Sequence, residues 1–153
     1  MTNEEKELLL KDLCGRLPYN VMVQYHYKRG DNCIYEDREL DFSDIETLKY
    51  TNEYPQDDWC EISWKPYLRP LSSMTKEEEK EVSRLTGFYK FDCGKEIIRL
   101  VNKRPDFPSD WINNVTEGIA SSLIDYLNAH HFDYRGLIEK SLALKAPEGM
   151  YSK

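Results

Sequence analysis

The spacing of apolar residues changes period within the first thirty positions, and that change restricts the chain to folds that combine helix and strand. Leu10, Leu13, Cys14 and Leu17 recur at i, i+3, i+4 and i+7, which lines one face of a helix. Thr2 and Glu5 make a T-x-x-E capping box at its start, and Gly15 followed by Pro18 stops it. Beyond Pro18 the period drops to two. Val21, Val23, Tyr25 and Tyr27 alternate with Met22, Gln24, His26 and Lys28, the pattern of a half-buried strand.

The remaining segments extend this mixture. Gly30-Asp31-Asn32 marks a turn, and Cys33-Ile34-Tyr35 reads as a return strand. Asp41–Tyr50 reads either as a short helix capped by Ser43 with Glu46 or as an edge strand, and Trp59–Trp64 as a strand. Lys65–Pro70 is bounded by two prolines and must be extended; it is expected to be a rigid crossover from sheet to helix. Thr75 and Glu78 form a second capping box, opening a charged helix to about Leu85 with Gly87 as its terminal glycine. Phe88–Phe91 and Glu96–Val101 suggest a hairpin. A long helix starts at Ser109, its stripe running through Ile112, Val115, Ile119, Leu123, Tyr126 and His130. Asp133 is placed to cap a last helix carrying Leu137, Ile138 and Leu142. The expected fold is α+β, one domain over residues 1–153: an N-terminal helix, a small antiparallel sheet, a middle helix, and a C-terminal αα-hairpin packed on the sheet.

Composition narrows the function classes. Charged residues make up 32% of the chain, and no apolar run approaches the roughly 18 residues of a membrane span. The N-terminus lacks the basic-then-apolar pattern of a secretory signal, so the expected location is the cytoplasm. There Cys14, Cys33, Cys60 and Cys93 are expected to be reduced, mostly buried small hydrophobes. The net charge is −7, and residues 41–80 hold ten acids against five bases. A chain with this balance and no basic stripe is not expected to bind nucleic acid nonspecifically; a partner held by charge would be basic.

The motifs give no foothold for a cofactor or a metal, and none is expected. Gly87 to Lys95 superficially suggests a phosphate loop, but six residues separate its glycines and Glu96 follows the lysine, where a hydroxyl is required. His130 and His131 are adjacent, so on a helix they point about 100° apart and make a poor metal pair. No G-x-S-x-G elbow occurs, and no residue is assigned a catalytic role. The densest polar and aromatic cluster is His130, His131, Phe132, Asp133, Tyr134 and Arg135. It reads as helix-end architecture or as a pocket with groups that exchange protons near neutral pH. With Tyr67 and Arg69 of the proline-bounded segment, the residues His130, His131, Asp133, Tyr134 and Arg135 are the candidate binding set.

Two stretches also carry a resemblance: Lys65-Pro-Tyr-Leu-Arg-Pro-Leu-Ser-Ser-Met-Thr-Lys-Glu-Glu-Glu and Leu127-Asn-Ala-His-His-Phe-Asp-Tyr-Arg-Gly-Leu-Ile-Glu-Lys-Ser-Leu-Ala-Leu. Both resemble segments of a family of small uncharacterised proteins of gut anaerobic bacteria and their phages. That family usually has glycine where Ser141 stands, a change that a helix would tolerate. The resemblance implies an intracellular protein of phage or mobile-element origin and brings no activity with it. The expected function is a non-catalytic binding or accessory protein whose partner is another protein, in the phage setting a host protein. The alternatives are a small hydrolase or nuclease using the His130–Arg135 cluster, and a small-ligand sensing module. Nothing in the sequence sets the oligomeric state.

Overall fold

A computed structural model describes residues 1–29, 32–50, 63–86 and 113–151. The chain divides into two compact units, one formed by Met1–Leu68 with Leu137–Lys153, the other by Arg69–Gly136. The α+β class is as expected. No helix among the described residues is long and apolar enough to cross a membrane.

In the first unit, helix α1 (Asn3–Arg16) opens with the expected capping box. Glu5 N–H donates to Thr2 Oγ1 at 3.1 Å, and Thr2 N–H donates to Glu5 Oε2 at 2.7 Å. The buried stripe differs from the expected one: Leu9, Asp12, Leu13 and Arg16 face inward, whereas Cys14 is exposed. Successive helical residues turn by about 100°, so a stripe centred on Leu9 and Leu13 leaves Cys14 outside. Asp12 and Arg16 are wholly buried, and two hydrogen bonds of 2.6 and 3.1 Å join them.

Pro18 then ends the helical run in a single 3₁₀ turn (Leu17–Tyr19), and Asn20 takes a left-handed φ of 53°. Strands β1 (Met22–Arg29) and β2 (Asn32–Glu39) pair antiparallel from Met22↔Glu39 to Arg29↔Asn32. The return strand is therefore longer than Cys33–Tyr35, while the turn residues Gly30 and Asp31 lie outside the described residues. Asp41–Tyr50 resolves as helix α2 (Phe42–Tyr50). Its cap is Asp41 rather than Ser43: Asp44 N–H donates to Asp41 Oδ1 at 3.2 Å, and Asp41 N–H donates back to Asp44 Oδ2 at 2.9 Å.

Strand β3 (Ser63–Leu68) corrects the reading of Lys65–Pro70 as a crossover. It pairs antiparallel with β1 and parallel with β4 (Leu144–Lys145), giving the order β2-β1-β3-β4. The sheet is thus mixed rather than purely antiparallel. Pro66 is buried opposite Val23. Proline is tolerated there because β4 pairs only with Tyr67 and Leu68, so no ladder donor is required of residue 66 on that side. The core of this unit gathers around Leu9, Leu13, Val23, Leu48 and Leu68. Each such side chain contributes about 1.5–3 kcal/mol by leaving water.

The expected last helix is not formed. Between Gly136 (φ 70°) and Ser141 (φ 58°) there is room for one turn only. That turn closes with Leu142 N–H on Leu137 O (2.9 Å) and Ser141 N–H on Ile138 O (3.0 Å), the two bonds of a Schellman motif. Ser141 occupies its left-handed position, so it does not lie within a helix. The chain then runs into β4. The αα-hairpin therefore reduces to helix α4 (Asn113–Ala129) followed by turns.

In the second unit, a 3₁₀ turn (Leu71–Ser73) leads to helix α3 (Lys76–Thr86), which packs against α4. The core of this unit is Leu71, Val82, Leu123, Leu127, Phe132 and Tyr134. Gly87, the hairpin expected at Phe88–Val101 and the helix start at Ser109 all lie outside the described residues, as do residues 59–62 of the expected strand.

Candidate functional site

The predicted residues separate into two places. Arg69, His130, His131, Asp133, Tyr134 and Arg135 belong to the second unit, whereas Tyr67 belongs to the sheet of the first. Helix α4 ends in a Schellman motif in which His131 N–H donates to Asn128 O (3.0 Å) and Phe132 N–H to Leu127 O (2.9 Å). His131 adopts the left-handed φ of 58° usually left to glycine. The chain thereby turns alongside Arg69. Arg69 N–H donates to His131 O at 2.8 Å, and Asp133 N–H donates to Arg69 O at 2.7 Å. Asp133 is buried and caps no helix, because none follows.

The side chains of this cluster are committed to one another. Arg69 holds Glu78 through both terminal nitrogens, at 2.7 and 2.9 Å, and lies 4.3 Å from the Phe132 ring centroid. Burial pushes the Glu78 carboxyl up, but hydrogen bonds from Arg69 and the Thr75 amide outweigh it and hold the pKa below the ordinary 4.5. The same carboxylate closes the expected capping box of α3, accepting from Thr75 N–H at 2.8 Å. His130 stacks on Tyr126 with centroids 4.1 Å apart, and its Nδ1 lies 2.9 Å from the Tyr126 carbonyl. A carbonyl only accepts, so that nitrogen carries the proton. Tyr134 donates to Asn128 Oδ1 at 2.9 Å, and Arg135 lies 4.8 Å from the centroid of the Tyr134 ring. The arrangement fastens a turn to a helix end.

Tyr67 lies on a face of the first unit's sheet. Its hydroxyl accepts from Gln24 Nε2 at 2.6 Å and donates to Asp37 Oδ1 at 3.1 Å. Burial, reinforced by the Asp37 carboxylate, raises its pKa above 10.0. The register places Gln24, His26, Tyr35, Asp37 and Lys65 on this same sheet face, because Gln24 pairs with Asp37 and Lys65, and His26 with Tyr35. A cleft of about 230 Å³ opens there, lined by Gln24, His26, Tyr35, Trp64, Lys65 and Leu144. His26 and Tyr35 stack at 4.8 Å with 24° between their planes, and Tyr35 is 63% exposed. Lys65 is exposed at the same cleft.

This face offers ring surface, an amide and a cation. Among the described residues no group of three histidines, cysteines or carboxylates is placed to hold a metal ion. Period-two spacing put Gln24 and His26 on one face from sequence, but Tyr35, Asp37 and Lys65 join them only through the cross-strand register. Compared with known proteins, the chain matches no protein-family model, no curated protein and no solved structure.

Proposed function

We propose that this chain is a non-catalytic cytoplasmic binding protein whose recognition surface is the sheet face around Tyr35 and whose partner is another protein. The observation that carries the reading is the exposed Tyr35 ring, braced by His26 at 4.8 Å, beside the cleft that Lys65 also lines. Aromatic side chains held rigid at a surface supply most of the energy of protein interfaces, since little conformational freedom is lost on contact. The bonded state of Arg69, Glu78, His130 and Tyr134 favours this reading over hydrolysis by the His130–Arg135 segment. A host protein as target, in a phage or mobile-element setting, is proposed on the resemblance of the Lys65–Glu79 and Leu127–Leu144 stretches.

The test is affinity capture with the parent chain and three variants, read by quantitative mass spectrometry. A partner retained by the parent and by Arg84→Ala should be lost with Tyr35→Ala and with Lys65→Glu. Capture that is unchanged in both face variants would refute the assignment of the surface.

A further inference from the structure

We infer that the outer edge of β2 accepts an extended, basic segment of the partner as an added strand. The inference rests on the binding role proposed above and names the mode and chemistry of recognition. Among the described strands β2 is the outermost in the order β2-β1-β3-β4, and its eight residues make a long edge. The register shows which backbone groups face outward. Leu40 N–H donates to Val21 O at 2.8 Å, so Val21 and Leu40 form a hydrogen-bonded pair. Antiparallel pairs alternate, so Glu39, Asp37 and Tyr35 turn their N–H and C=O groups away from β1. Their side chains are exposed as well. Among the described residues no strand pairs with these outward groups, of which Glu39 O accepts from Arg38 Nη1 at 2.9 Å, and outward groups at alternate positions are a template for strand addition.

Charge selects the occupant. β2 carries Glu36, Asp37 and Glu39 against one cation, Arg38. That cation is engaged elsewhere, with Asp44 at 2.6 Å and Asp41 at 3.4 Å. Among the lysines and arginines whose side chains are described, none forms an ion pair with Glu36, Asp37 or Glu39. A second copy would bring an equally acidic strand to this edge and be repelled. A segment with basic residues at alternate positions would set them opposite Asp37 and Glu39 and bring a third over the Tyr35 ring on the same face.

The experiment is amide hydrogen exchange by NMR on the full chain. The probe is a short capped peptide alternating lysine and valine, with a glutamate–valine peptide and an N-methylated lysine–valine peptide as controls. The basic peptide should protect the amides of Tyr35, Asp37 and Glu39, and neither control should. In Glu36→Lys/Glu39→Lys, checked for an unchanged melt, affinity for the basic peptide should fall about tenfold. Absence of protection at the three amides overturns the inference, as does equal binding of the glutamate peptide. Protection that appears with protein concentration alone assigns the edge to a second copy and also overturns it. Changes confined to His26 and Lys65 overturn strand addition while leaving the recognition face standing. The N-methylated control decides the matter on the parent chain alone if the charge-reversed variant fails to fold.

Discussion

Removing one oxygen atom, in Tyr151→Phe, tests how the C-terminal segment closes the sheet. The paired register of β1 and β3 stops at Val23↔Pro66. One step further, Met22 N–H and Tyr67 C=O would meet directly. Instead the Tyr151 hydroxyl stands between them, accepting from Met22 N–H at 3.0 Å and donating to Tyr67 O at 2.9 Å. A single phenol thus replaces a rung of the ladder. Phenylalanine keeps the ring but leaves both backbone groups without that partner. Each bond contributes about 0.5–1.5 kcal/mol, and an unsatisfied buried group costs about 1–3 kcal/mol. Tyr151 is only partly buried, so water recovers some of this. The expected loss is about 2 kcal/mol, or a drop of roughly 4–8 °C in melting temperature for a chain of this size. Scanning calorimetry at neutral pH measures it. The pH dependence is a second signature. Burial raises the Tyr151 pKa from 10.0 to about 12. A raised acid favours the folded state while neutral, so its contribution is complete below pH 10 and is lost as pH climbs toward 12. The gap between the parent and Tyr151→Phe should therefore narrow over that interval. A melt within about 1 °C of the parent at neutral pH would refute the bridging role.

Three further outcomes are expected. Ser141→Gly should stabilise the chain by up to about 1 kcal/mol in urea unfolding, because φ of 58° strains a side chain by about 1–2 kcal/mol while glycine's extra backbone freedom offsets about half; destabilisation would show that the Schellman turn is misassigned. Asp12→Ala should cost about 3–5 kcal/mol in the same assay by stranding the wholly buried Arg16, and Asp12→Ala/Arg16→Met should recover much of it. The Glu78 carboxyl is held below 4.5 chiefly by Arg69, working against burial; its stabilisation is complete above that value and lost as pH falls through the lowered one, so Glu78→Gln should melt less steeply with acid below pH 4.5.

Local rules wrote part of this molecule in the sequence. The capping boxes at Thr2 and Thr75 were legible because a hydroxyl and a carboxylate three residues apart satisfy helix-end amides without help from the rest of the chain. The strand over Met22–Arg29 was legible because pleating imposes its period of two on any half-buried strand. Other features depend on residues distant in sequence. Pro66 looked like a linker because proline donates no ladder hydrogen bond; only the short reach of β4 along β3 opens an interior strand to it. The burial of Asp12 and Arg16 has no signal in residue type or spacing; only the packing of the first unit removed them from water. The segment after Asp133 was read as a helix from its leucine spacing, but the left-handed turns at Gly136 and Ser141 leave one turn and deliver the chain to β3 as β4. The candidate site follows the same division. Residue types and alternation alone determined which side of its own strand each of Gln24, His26 and Tyr35 occupies. Only the tertiary structure brought Tyr35, Asp37, Lys65 and Tyr67 to one face, because strand register is set by pairing between segments rather than by any one of them.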